Sequence, residues 1–269
     1  MTATTHHPPV RSAPRTAAPP VSGSARSGLG RLTAVELRKL ADTRSGRSLL
    51  GIIAVLTLAV VVLGVLAPGE PDRTFVPLFQ LTLLPTGVIL PVLGILTVTS
   101  EWSQRTALTT FVLVPHRHRV MAAKLLAAVT YALASVVVGL ATAALGTLAA
   151  AALDRGDGSW DASIGLLGYA ALFQVINVVM GIAFGMLLLN SPLAIVLYFA
   201  LPVLWTTVVT LVPRISGTAA WFDLNLQLEP LAEDAMRSGD WPRLAVAVAT
   251  WVLLPLAAGV VRVVRGELR

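Results

Sequence analysis

Few side chains in this sequence could carry out chemistry, and they lie outside its apolar stretches. The chain has no Cys, which excludes a thiolate metal site and a cysteine nucleophile. Its two lysines, Lys39 and Lys124, do not follow a Gly, so there is no P-loop for ATP. Intramembrane proteolysis and proton relays need His or acidic residues at membrane depth, and none is predicted there. We therefore predict no enzyme, no metal and no bound cofactor.

The segment 101–119 is the most purposeful polar stretch. It is too long for a turn and too polar to cross a membrane. Leu108 and Phe111 can form an apolar face near the membrane, while Glu101, Arg105 and Thr109 are expected to face water. This pattern fits a short helix on which a soluble partner docks, and it equally fits an interfacial hairpin held by anionic lipid.

A second purposeful piece precedes the first apolar run. Thr33 and Glu36 have the spacing of a capping box, which predicts Thr33 as the N-cap of a helix. Arg38 and Lys39 follow on the same helix, which is expected to lie in the cytoplasmic interface. A plain helical extension with basic anchors fits as well as a specialised role.

Four residues of the fourth apolar run share helical spacing. Gln174 and Asn177 lie three residues apart and either line a translocation path or bond a neighbouring helix. Gly181 and Gly185 form G-x-x-x-G, which favours close packing against another helix.

The elements that position these residues follow from composition. Hydrophobic residues make up 55% of the 269, charged residues 13%, and the mean hydropathy is +0.78, which is typical of a membrane protein. A span needs about 20 apolar residues. The uncharged run 162–213 is too long for one span, and Asn190, Ser191 and Pro192 indicate a hairpin near its middle. The chain is thus predicted to be an all-α polytopic protein with six transmembrane helices, at about 49–66, 78–99, 125–150, 163–188, 193–212 and 244–261.

Charge distribution predicts the orientation. With both termini in the cytoplasm, 15 of the 20 Lys and Arg residues fall on the inner side, as the positive-inside rule requires. This distribution also argues against a nucleic-acid partner. Residues 1–30 are expected to form a disordered cytoplasmic tail, and 31–269 the membrane domain. The outer segment 215–240 fits a strand, a re-entrant helix or an interfacial helix.

The order of these parts resembles the permease subunit of type-2 ATP-binding-cassette transporters. The resemblance covers roughly residues 31–269 and has three parts: E-L-x-K-L at 36–40 before span one, E-x-x-x-x-T-x-x-T from Glu101, and a basic carboxyl end. Arg105 stands where relatives usually have Gly. The matching residues of the second pattern and its continuation are Glu101, Thr106, Thr109, Pro115, Arg119 and Lys124.

The resemblance implies a function. It predicts a subunit of the inner or plasma membrane that works as a homodimer or heterodimer, in contact with membrane lipid. A separate P-loop ATPase, which would bind the ATP and magnesium, would dock on the coupling segment. That segment would include Glu101, Arg105, Thr106, Thr109, Pro115, Arg117 and Arg119. The charge-poor spans suit export of an amphipathic or hydrophobic substrate. Two alternatives stay open: a non-transporting anchor or sensor, and half of a sodium-coupled carrier.

Overall fold

The computed structural model describes residues 28–67, 73–103 and 117–265, and the regular secondary structure in these ranges is helical. The helices, numbered in chain order, are α1 (Leu29–Asp42), α2 (Arg44–Leu66), α3 (Phe75–Ser103), α4 (Arg117–Ala152), α5 (Ile164–Leu188), α6 (Ser191–Leu211), α7 (Pro213–Ala219), α8 (Leu224–Ala232), α9 (Asp240–Val248) and α10 (Leu254–Arg265). A 3₁₀ turn, Ala220–Phe222, precedes α8, and a π-helical turn, Ala249–Leu253, joins α9 to α10.

Six of the described helical stretches are long and apolar enough to cross a membrane: α2, α3, α4, α5, α6 and the continuous run α9–α10. The predicted count of six long apolar helices is confirmed. Their bounds differ most at α4, which begins at Arg117 rather than near 125. At 1.5 Å per residue the 36 residues of α4 extend about 54 Å, so α4 is longer than the hydrocarbon layer is thick.

Helices α3 and α5 form the centre of the bundle, and more than half of the residues in the most apolar stretch of each are buried. Gly181 and Gly185 allow the two backbones to meet. A Cβ on Gly181 would lie 2.5 Å from the Pro91 carbonyl oxygen, and one on Gly185 would lie 3.2 Å from the Ile95 Cα. The helix-packing interpretation of this G-x-x-x-G pair is therefore supported.

A tight hairpin joins α5 to α6, at the position that the sequence indicates. Leu189 ends α5 in the left-handed conformation, with φ 52°, and its N–H donates to the Gly185 carbonyl. Asn190 then caps α6, because its side-chain oxygen accepts from the Leu193 N–H at 3.0 Å. These local bonds satisfy backbone groups that two helix ends would otherwise leave open.

The bundle has two distinct ends, here named the α1 end and the far end. Helix α1 packs across the first turns of α2 and α4 at the α1 end. At the far end, the Arg73 guanidinium donates to the Arg155 carbonyl at 2.8 Å, and the Arg155 guanidinium donates to the Leu66 carbonyl at 3.0 Å. Both guanidinium groups thus neutralise carbonyls where helices end.

The segment after α6 folds back along it. The Trp205 indole N–H donates to the Ala219 carbonyl at 3.2 Å, and the Thr206 hydroxyl donates to the Asp223 carboxylate at 2.8 Å. Asp223 is fully buried and caps α8 through the Leu226 N–H. The residues are helical, so the strand interpretation of this segment is wrong.

Candidate functional site

A buried charged side chain lies at the α1 end. The Lys124 ammonium, on α4, is 1% exposed. It donates to Glu36 Oε2 on α1 at 2.8 Å, to Glu101 Oε1 on α3 at 2.9 Å and to the Thr97 carbonyl at 3.1 Å. An ammonium has three protons to donate, so these bonds use all of them.

Lys39 completes this charge cluster, which we define as Glu36, Lys39, Glu101 and Lys124. The Lys39 ammonium pairs with the same Glu101 oxygen, and its side chain is 42% exposed. Two carboxylates thus meet two ammonium groups, and the cluster carries no net formal charge. Buried charges are tolerated when each is paired and hydrogen-bonded in this way.

Helical spacing explains how three helices each bring their residues to one point. On α1, Glu36 and Leu40 are the buried residues, and they lie one turn apart on one face. On α3, the Thr97 carbonyl and the Glu101 carboxylate are likewise one turn apart. Lys124 follows one turn after Val120, which is buried on the same face of α4.

The cluster joins α3 and α4, the two helices that flank residues 104–116. Glu101 lies two residues before the end of α3, and Lys124 lies seven residues after the start of α4. Their ion pair therefore holds together the two helices between which the segment runs. A further bond ties α1 to α4, because the Tyr131 hydroxyl donates to the Leu37 carbonyl at 3.0 Å. Helix α1 and both flanks of the segment consequently form one unit.

Glu101 does not lie where the sequence places it. It was expected to face water, yet it is 4% exposed, because its carboxylate turns inward to the two lysines. The Glu101 carboxylate is therefore engaged in ion pairs within the helix bundle.

The other residues of the predicted coupling segment are described only in part. Arg117 begins α4, and Arg119 is partly exposed in its first turn. The remaining members, Arg105, Thr106, Thr109 and Pro115, lie outside the described residues.

The predicted N-cap of α1 is wrong. The helix begins at Leu29, with Gly28 as its N-cap, and Thr33 lies inside it. The Thr33 hydroxyl donates to the Leu29 carbonyl one turn earlier, at 3.0 Å. Glu36 does not reach back to cap the helix, because its carboxylate binds Lys124. Arg38 is exposed on the opposite face of α1.

Gln174 and Asn177 both bond neighbouring groups. Gln174 is fully buried on α5 and donates to the Thr86 hydroxyl on α3. The Asn177 amide donates to the Phe173 carbonyl at 2.8 Å, and its oxygen accepts from the Tyr198 hydroxyl on α6 at 3.0 Å. These bonds favour helix packing as the role of Gln174. Asn177 also lines a cavity between α3, α5 and α6.

The sequence alone did not show that Lys124 is the centre of a buried charge cluster. It indicated Lys124 only as one residue of a family pattern. A signal was present, because Lys124 is one of two lysines in the chain and directly precedes a long uncharged run. A Lys at the end of an apolar span either extends its ammonium to the water interface or pairs it with a carboxylate. No comparable feature of the sequence points to Tyr131.

Within the described ranges, no group of three or more His, Asp or Glu side chains is placed to hold a metal ion. Comparison with other proteins adds no family: no protein-family model and no curated protein matches this chain. Its function is therefore inferred from its own residues and their geometry.

Proposed function

We propose that this chain is the membrane-spanning permease subunit of an ATP-driven transporter. A separate P-loop ATPase docks on the cytoplasmic segment 101–119, and a second permease copy completes the translocation path. The observation that carries this proposal is the charge cluster, which fastens α1 to both flanks of the segment. Such a rigid base is what a docking element needs if a partner's movement is to reach the membrane helices.

The long central helices provide the route for that movement. A force on the segment acts on α3 and α4 together, because an ion pair of 2.9 Å between Lys124 Nζ and Glu101 Oε1 joins the two helices. Helix α3 in turn meets α5 backbone to backbone at Gly181 and Gly185, where little sliding is possible. Helices packed this closely move as rigid bodies, which is the usual form of a switch between inward-open and outward-open states.

The energy source is a partner chain, since the sequence has no P-loop lysine of its own. ATP and magnesium would bind to that partner. Both termini and α1 lie on the cytoplasmic side of the cell membrane in this proposal, because the α1 end carries most of the Lys and Arg residues. The charge-poor spans suit export of a hydrophobic or amphipathic molecule.

Co-purification tests this proposal. The tagged full chain is extracted in mild detergent from its own host, and the bound proteins are identified by mass spectrometry. The same is done with residues 104–116 replaced by a Gly/Ser linker, which leaves Glu101 and Lys124 in place. We expect a P-loop ATPase with the natural chain and none with the linker variant.

The linker variant needs its own control, because it must still be folded. Its thermal unfolding in detergent should match that of the natural chain, since the charge cluster is retained. Recovery of no ATPase from the natural chain, under conditions that keep other membrane complexes intact, would overturn the proposal. Sodium-driven uptake without ATP would point instead to a carrier.

A further inference from the structure

Two cavities meet at the far end of the bundle. The first, about 720 Å³, lies between α2, α3 and α8, and the second, about 360 Å³, lies between α3, α5, α6 and α8. Both are lined mainly by apolar side chains. They share five lining residues, Leu83, Leu84, Phe173, Glu229 and Ala232, and so form one continuous groove.

Glu229 lies where the two cavities join. Its side chain is exposed, and no hydrogen bond or ion pair connects it to another described residue. Glu233, the residue that directly follows α8, lines the first cavity as well. Among the described lining residues of either cavity there is no Lys, Arg or His. Arg73 reaches the same end, but its guanidinium donates to the Ala67 and Arg155 carbonyls.

The apolar wall of the groove extends below the far end of the bundle. Phe173 lies nine residues into α5 from Ile164, and Leu84 lies nine residues into α3 from Phe75. At 1.5 Å per residue, both lie about 13 Å from the far ends of their helices. Half of a hydrocarbon layer is about 15 Å thick, so the wall of the groove formed by Phe173 and Leu84 reaches towards the membrane interior, while Glu229 lines the groove from α8. A carboxylate at the edge of an apolar groove gives that groove one negative charge.

We propose that the groove binds a lipophilic cation, a molecule with an apolar body and one positive charge. The apolar walls take the body, and the Glu229 carboxylate pairs with the charge. The Phe173 ring lines the groove at the same junction and can add a cation–π contact. An anion would be repelled there, and a neutral molecule would leave the carboxylate without a partner. This proposal rests on the proposed transport function, since it names the class of molecule transported.

A pair of probes of equal shape and opposite charge provides the test. Tetraphenylphosphonium is a lipophilic cation, and tetraphenylborate is its anionic counterpart. Saturable binding of each is measured by equilibrium dialysis against the full chain in phosphatidylcholine nanodiscs, with empty nanodiscs as background. We expect saturable binding of the cation to the natural chain and none of the anion. Glu229→Gln should weaken cation binding at least tenfold.

The matched control is Asp161→Asn, which removes one negative charge from an exposed residue at the same end of the bundle. It should leave cation binding unchanged, and both variants should unfold at the temperature of the natural chain. Equal binding of the two probes, no saturable cation binding, or unchanged cation binding by Glu229→Gln would overturn the assignment. Co-purification of an ATPase is independent of these results, so failure of the groove assignment and failure of the transport proposal are distinguishable.

Discussion

Lys124 and Glu36 are 88 residues apart in sequence, yet the ammonium of one donates to the carboxylate of the other at 2.8 Å. This contact is buried. It joins α1, which precedes the first long apolar helix, to α4, which is the third of these helices. Helix α1 is therefore joined to the helix bundle by a buried ion pair. Its ion pairs reach α3 and α4, the two helices that flank residues 104–116.

Removal of the Lys124 charge should destabilise the protein strongly. In Lys124→Met, Glu36 loses its ammonium partner and Glu101 loses one of two, while both carboxylates stay buried. Breaking a buried ion pair from one side costs about 3–5 kcal/mol. Lys39→Met is the matched control, because the Lys39 side chain is 42% exposed and should cost about 1 kcal/mol or less. Thermal unfolding in detergent measures both, and equal losses would contradict the central place of Lys124.

The same substitution should release α1 from the bundle. The chain has no natural Cys, so one introduced thiol reports on one position. Leu40→Cys, at a buried position of α1, should react slowly with a maleimide in the natural background and rapidly in the Lys124→Met background. Val35→Cys, at a position that is exposed, should react equally in both. Protection of position 40 in both backgrounds would show that the apolar contacts of α1 suffice without the charge cluster.

The close approach of α3 and α5 should make Gly181 intolerant of a side chain. A Cβ there would lie 2.5 Å from the Pro91 carbonyl oxygen, so Gly181→Ala must push the helices apart. Overpacking of this kind costs about 1–3 kcal/mol. Gly168→Ala is the control on the same helix, because nothing lies within 4 Å of its Cβ position, and it should be neutral or slightly stabilising. Unfolding temperatures of the two variants test this difference, which a loosely packed interface would not produce.

The proposed orientation is open to direct test in intact cells. A membrane-impermeant maleimide should label Asp157→Cys, at the far end, and should not label Ser45→Cys, at the α1 end, until the cells are opened. Both positions are exposed on the protein, so the membrane alone decides access. Labelling of Ser45→Cys alone in intact cells would reverse the topology, and the coupling segment could then not meet a cytoplasmic ATPase.

Several features of the fold could be predicted from local patterns. The hairpin at Asn190 was predictable, because a capping side chain and a proline act on their immediate neighbours. The spacing of Gly181 and Gly185 also indicated close packing, but it did not indicate which helix they face. The start of α1 could not be predicted in this way, because Thr33 has the capping pattern but bonds back to Leu29 inside a longer helix. Two local patterns compete there, because a Thr hydroxyl can either cap a helix or bond back to the carbonyl one turn earlier.

The sequence by itself determined that the chain forms six long apolar helices. A backbone in hydrocarbon must satisfy its own hydrogen bonds, so an uncharged run of about 20 residues has no alternative to a helix. Only the tertiary structure decided which charges at the helix ends meet. Glu36, Glu101 and Lys124 are ordinary boundary residues in the sequence, and packing of α1 against α4, beside the end of α3, turns them into one buried cluster. Glu229 likewise belongs to the outer segment 215–240 in the sequence, and only the fold of α8 places it at a groove lined by the central helices.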